Sequence, residues 1–359
     1  MKSEKPRVPA REPAEEIPYE GVRTPAWFSG LKPEWKALDE HAGVFDASWR
    51  RWFPAVGEER REFLHGQTTA NVTALQPGTG APAATLTAQG RPLALFALYE
   101  TGERIWIAST ASAAAATRTA LSRFLVADDC DFEPDVDARC MTVAGPRAAD
   151  ILSRNGAAGA PSLGPWAVTS TTIAGEDVQI FSRADLRVPC YDVLVCNPEG
   201  RPGDADRVLR AIESSGAVRC GAAALEIVRI ESGTVRYGVD LDEKRIAIEA
   251  RLEWAIHFAK GCYVGQEVIE RAVSRGRINH EMCLLKVAPG VAPGATVEGG
   301  TDSDVVTSVA VSPRLGPIAL AYLPAKSAAG GSVMLRSADV SSKATLLPWP
   351  RARVLAGRG

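Results

Sequence analysis

In the stretch AKGCYVGQEVIERAVSRGR, Ala259 to Arg277, a cysteine stands between two glycines, behind a lysine and ahead of a Gln-Glu pair. A thiol so placed acts as a nucleophile only as its thiolate, and no neighbouring base supports that role. The preceding EARLEWAIHFAKG reads as an amphipathic helix with Leu252, Ala255, Ile256 and Ala259 on one face. Gly261 would end it in the left-handed conformation, making Cys262 the first residue past the cap. The end of that helix disfavours a thiolate, whereas Lys260 and the start of the next helix favour one. Glu267 either complements that helix start or, with the Gln266 amide, holds a polar heterocycle. Arg271, Arg275 and Arg277, with Lys260, form either an anion site or a solvated basic face. The plain alternative is that Cys262 is a small half-buried filler, as free cysteines commonly are. His257 sits between Trp254 and Phe258 and reads as a packing residue rather than a base. His41, His65 and His280 are scattered, so no zinc site is expected.

The elements that must position this loop belong to a chain of 359 residues, 46% hydrophobic and 23% charged, long enough for two or three soluble domains. Lysine plus arginine total 41 against 43 aspartate plus glutamate, a balance that argues against a generic nucleic-acid binder. The seven cysteines are odd in number and form no C-x-x-C pair, as expected of free thiols in a reducing compartment. The N-terminus lacks the apolar centre of a signal peptide, and no stretch approaches the roughly 20 apolar residues of a membrane span. A cytoplasmic protein with no membrane partner is the expectation.

Residues 1–18, with four prolines among mixed charges, read as a flexible tail. AGVFDASWRRWFPAVG suggests a strand pair, and EERREFLHGQTTANV a short helix stopping near Gly66. Apolar runs on either side of Gln89-Gly90-Arg91-Pro92 predict a hairpin, and RIWIAS another strand. Ala111 to Val126 predicts a helix with Leu121, Phe124 and Leu125 toward the core. Met141 to Ala144, GEDVQIFSR and CYDVLVCN predict strands, with helices after Gly145-Pro146 and from Asp204 to Ser214. CGAAALEIVRIESG predicts a helix closed by Gly233. Beyond Arg277, MCLLKV, DVVTSVAVS, PIALAYL, SVMLRS and ARVLA are short runs between Pro and Gly, the pattern of a small closed barrel. Strands and helices alternate without a regular βαβ rhythm, so the fold class is α+β.

KGCYVGQE resembles the signature of the YgfZ family, folate-binding relatives of the glycine-cleavage T-protein that assist iron–sulfur enzymes. AGVFDAS, FLHGQTTANV, LTAQGRPLA, FLVADDCDFE, RIESGTVRYGVDLDE and SPRLGPIALAYL stand in the order of that family, from about Ala42 to Leu323. The resemblance implies a T-protein-like three-domain cloverleaf: two α+β lobes over residues 19–279 around a channel that takes tetrahydrofolate, and a C-terminal β-barrel over 280–359. It places the family's characteristic cysteine at Cys262, at the mouth of that channel with Lys260 beside it, and implies that Arg229, Glu231, Gln266 and Glu267 contact the folate or build its channel. Glu231 could equally make a structural hydrogen bond.

Departures point away from glycine cleavage. Where aminomethyltransferases carry an aspartate that positions folate, GRPLALF has Ala94 and Leu95, and hydrocarbon cannot handle a proton. The glutamate of Gly-Glu-x-Gly-Tyr becomes Val188, and Ala70 replaces the first amide of Thr-Thr-Asn-Asp. The resemblance therefore implies a folate-binding accessory factor with iron–sulfur client proteins. The alternative is a tetrahydrofolate-dependent one-carbon transferase. Direct tRNA contact through Arg271 to Arg277 is disfavoured by the balanced charge.

Overall fold

The computed structural model describes residues 15–276, 278–337 and 340–350. Four sheets organise them. A short hairpin, β1 (Glu16–Tyr19) and β2 (Val22–Pro25), opens the described chain. One five-stranded sheet has the order β5 (Gly80–Leu86), β6 (Pro92–Glu100), β7 (Ile105–Thr110), β4 (Arg50–Val56), β8 (Asp131–Phe132). A six-stranded sheet has the order β10 (Val168–Ile173), β11 (Glu176–Arg183), β12 (Cys190–Leu194), β9 (Cys140–Ala144), β3 (Gly43–Asp46), β13 (Val218–Arg219). The last, also six-stranded, has the order β15 (Thr296–Val297), β18 (Ser332–Ser337), β19 (Val340–Leu347), β14 (His280–Lys286), β17 (Gly316–Pro324), β16 (Val306–Ser312). At its ends, Thr296 of β15 forms a bridge with Val305, the residue just before β16.

Helices α1 (Leu31–Glu40), α2 (Arg60–Gln67), α3 (Ala114–Ser122), α4 (Ala148–Arg154), α5 (Ala205–Ser214), α6 (Ala222–Glu231), α7 (Gln266–Arg275) and α8 (Ala325–Ala328) cover or separate the sheets. The five-stranded sheet and the sheet containing β10 face one aromatic core, where Trp52 and Phe181 rings lie 4.1 Å apart beside Tyr99 and Trp106. Helix α6 packs against α1 and β16 and is buried along most of its length. Its start is fixed by Glu34 of α1. One oxygen of that buried carboxylate accepts from Phe28 N and Ser29 N at 2.6 Å, the other from Gly221 N at 2.8 Å. Gly221 is required there, since a Cβ would lie 2.3 Å from the Ala26 backbone. The far end closes with Gly233 at φ +63°, as the sequence predicts.

Several expectations change. Glu16 to Pro18 belong to β1, so the tail assigned to residues 1–18 is too long; its remainder and the ARVLA run lie outside the described residues. β3 and β4 are successive strands in different sheets rather than a pair. Phe124 is 47% exposed, because α3 ends at Ser122 before reaching it. No helix spans the segment before Cys262. Arg251 adopts φ +59° and breaks the helical course, leaving one 3-10 turn at Glu253–Ala255. Long-range bonds take the place of helical ones: His257 N donates to Thr69 O at 2.9 Å, and Thr69 Oγ1 to Ala255 O at 2.5 Å. No helix among the described residues is long and apolar enough to cross a membrane.

Candidate functional site

A cavity opens where β1, β4, β6, β7, α6 and the turn at Glu253–Ala255 converge. Its volume is about 110 Å³, and it opens to solvent. Aromatic rings supply much of the wall. Trp166 and Trp254 stack with centroids 6.0 Å apart and planes 10° apart, and Tyr19 meets Trp49 edge-on at 5.1 Å. Trp166 is held at φ +55°, a conformation costly for a bulky residue.

Arginines line the rest, each anchored by carboxylates, of which Glu20 and Asp185 share the wall. Arg229, 4% exposed, donates to Asp240 Oδ2 at 2.7 Å, to both oxygens of Glu226 at 2.7 and 2.8 Å, and to Ser308 Oγ at 2.8 Å. Arg236 pairs with Glu226 at 3.1 Å and with Glu20 at 3.2 Å. Arg50 and Arg183 share the buried Asp192 at 3.0 and 3.3 Å, and Arg183 also holds Asp185. Burial alone would raise the Glu226 carboxyl, but Arg229 and Arg236 more than reverse this and hold it at about 2. A carboxyl depressed in the fold stabilises above its unfolded value near 4.5, and that contribution disappears as pH falls toward 2. We expect the urea midpoint to drop between pH 5 and pH 2.5, by the equivalent of about 2 kcal/mol at most, and Glu226→Gln to flatten that slope.

The residues singled out from sequence do not all reach this cavity. Arg229 lines it; Glu231 does not. The Glu231 carboxylate is buried and accepts from Arg187 Nε at 2.7 Å and Ser312 Oγ at 2.5 Å, the structural role weighed as its alternative. On β6, Leu95 faces the cavity and Ala94 packs into the opposite core, so that strand presents hydrocarbon. Tyr19, Glu20, Arg50, Trp166, Arg183, Asp185, Arg236 and Trp254 were not found from sequence. No motif joins them, and their separation along the chain hid the wall they form.

Cys262 is the exposed cysteine among seven free ones, and it does not line the cavity. Its loop is held from both sides. Buried Lys260 donates to Thr68 O at 2.5 Å and to His65 O, binding the carboxyl end of α2 as a cation should; burial lowers its pKa to about 8. Gly265, rather than Gly261, is left-handed at φ +87°, and a Cβ there would sit 2.5 Å from Thr87 O. The loop therefore lies flat on the β5–β6 hairpin tip, and α7 starts immediately after it. Gln266 is half-buried in the first turn, while Glu267 points to solvent and pairs with Arg271, the helix-start reading of that carboxylate. Arg271 and Arg275 are exposed; Arg277 lies outside the described residues.

Comparison with known proteins gives a consistent result. The sequence matches the family model described as the GCVT N-terminal domain over residues 10–260. It is 26% identical over 342 residues to an aminomethyltransferase of Rubrobacter xylanophilus, covering 94% of this chain and 91% of that protein. It is 27% identical over 326 residues to an aminomethyltransferase of Streptomyces coelicolor, covering 88% and 87%. In structure it is similar to the glycine cleavage system aminomethyltransferase T from Bartonella henselae, with a TM-score of 0.81 at 20% identity and coverage of 95% and 94%. That likeness gives the fold: an α+β arrangement of the aminomethyltransferase type.

Proposed function

The chain belongs to the GCVT N-terminal domain family, and from that membership we propose that it is a tetrahydrofolate-binding accessory factor of the YgfZ kind, serving [4Fe–4S] proteins. In this reading residues 19–279 form two lobes of a cloverleaf and residues 280–359 a C-terminal barrel. The observation that carries it is the cavity wall, which pairs flat aromatic faces with arginines while β6 contributes Leu95 instead of an acid. Stacked indoles suit a pterin and a benzoyl ring, and guanidinium groups suit carboxylates. The fit is supported by the lining itself, where the guanidinium groups of Arg50, Arg183 and Arg236 share one wall with Trp166 and Trp254. When bound, tetrahydrofolate supplies a carrier for one-carbon groups. The chain's residues bind and orient it, and exclude water around it.

The exposed Cys262 thiol supports the iron–sulfur half of the proposal, as a transient ligand for iron or sulfur carried by a client. A cytoplasmic setting is part of the same reading. Anaerobic titration of the protein with tetrahydrofolate, followed by tryptophan fluorescence, is expected to give saturable quenching through Trp166 and Trp254. Absence of saturation at millimolar folate would refute the binding. One-carbon transfer is favoured instead by the relatives named aminomethyltransferase. Turnover of aminomethyl or methylamine donors with tetrahydrofolate above background would establish that reading over the accessory one.

A further inference from the structure

A second depression lies away from the central cavity, against the loop that carries Cys262. It encloses about 290 Å³ between the end of α3, the β5–β6 hairpin tip, Gln67 at the end of α2, and Val264. Two features mark it as more than a surface dimple. The Thr85 side chain lines it, is only 3% exposed, and its hydroxyl has no hydrogen-bond partner among the described residues. Leaving such a group buried and unpaired is costly in the free protein. Phe124, at the opposite side, keeps a large ring 47% exposed. A bulge also shapes the floor: Thr85 pairs with Ala94 and Leu86 with Pro92, so Leu93 is the extra residue, turned into the groove.

We propose that this groove docks an uncharged segment of a partner polypeptide, with an aromatic side chain against Phe124 and a main-chain amide on the Thr85 hydroxyl. The lining selects that occupant. Its polar groups, Gln67, Thr85, Thr87 and Gln89, are neutral and match peptide amides rather than phosphates or carboxylates. Its one charged side chain, Arg123, lies over the Phe124 ring at 5.4 Å. Val264 and Cys262 are two residues apart, so their Cα atoms are within about 7 Å. A segment seated here therefore lies within reach of the thiol. Nothing in this inference requires folate in the central cavity.

Disulfide exchange at Cys262 tests it on the full-length protein. Acetyl-Phe-Gly-Cys amide and acetyl-Asp-Gly-Cys amide are each supplied as a mixed disulfide with 2-mercaptoethanol. The Cys262 thiolate attacks the peptide sulfur, forms the protein–peptide disulfide and releases 2-mercaptoethanol as the thiol. Adducts are followed by intact mass while free 2-mercaptoethanol is raised, and Cys262→Ser reports any exchange elsewhere. The Phe peptide is expected to withstand about tenfold more 2-mercaptoethanol than the Asp peptide. Phe124→Ala and Thr85→Val should each abolish that preference, while Thr85→Val keeps or raises the Tm by removing the unpaired hydroxyl. Equal retention of the two peptides, or a preference that survives either variant, overturns the proposal.

Discussion

Arg229→Met is expected to lower the folding free energy by about 3–5 kcal/mol, measured as a fall in the urea midpoint at pH 7. The guanidinium is fully engaged: Glu226 takes its Nε and Nη2, Asp240 its Nη1, and Ser308 and the Thr234 carbonyl complete its bonds. Removing it leaves Asp240 buried with only the Thr307 and Ser308 hydroxyls and the Arg236 amide as donors, and leaves Glu226 beside a single arginine. Arg229→Lys should fall between the two, because an ammonium cannot present a planar fork to Glu226 while also reaching Asp240. A methionine variant within about 1 kcal/mol of the parent would show that the network holds less of the fold than its geometry implies.

Cys262→Ala is the second large effect, and it is functional. An exposed side chain truncated by one atom should change stability by less than about 0.5 kcal/mol. Since the thiol stands outside the central cavity, tetrahydrofolate affinity should also be unchanged. Restoration of iron–sulfur enzyme activity in a strain lacking the gene should nevertheless fail. Full rescue by the alanine variant would remove the thiol from the mechanism. The same site should react alone with iodoacetamide in the native protein. Burial pushes Cys130 and Cys196 up to about 11, and Cys190 and Cys283 up to about 12, so their thiolates are scarce as well as inaccessible.

The parts of this fold that could be read ahead were those governed by local chemistry. Gly90-Arg91-Pro92 turns the β5–β6 hairpin, and Gly233 closes α6, because each needs only a few neighbouring residues to be right. The segment before Cys262 misled for the opposite reason. Leu252, Ala255 and Ile256 are all buried, so the apolar spacing was correctly seen, but surrounding elements bury them from several sides at once. The Thr69 bonds that replace a helical ladder join residues almost two hundred positions apart. The candidate site was legible to a similar degree. Arg229 was found within its motif, whereas Glu20, Arg183 and Trp254 carry no motif and become neighbours only through the sheets.

The hydroxyl that Ser308 gives to Asp240 bears on the order in which the protein is made. Arg229 takes up its position with help from a residue 79 places later in the chain, and Thr307 joins at the same carboxylate. A polypeptide still attached to the ribosome and ending before Val306 thus has its charged wall without the last tethers. The last tethers of that wall arrive late, with the translation of β16, so an interrupted product would hold most of the cavity-lining residues without the Ser308 and Thr307 bonds that complete the Arg229–Asp240 network.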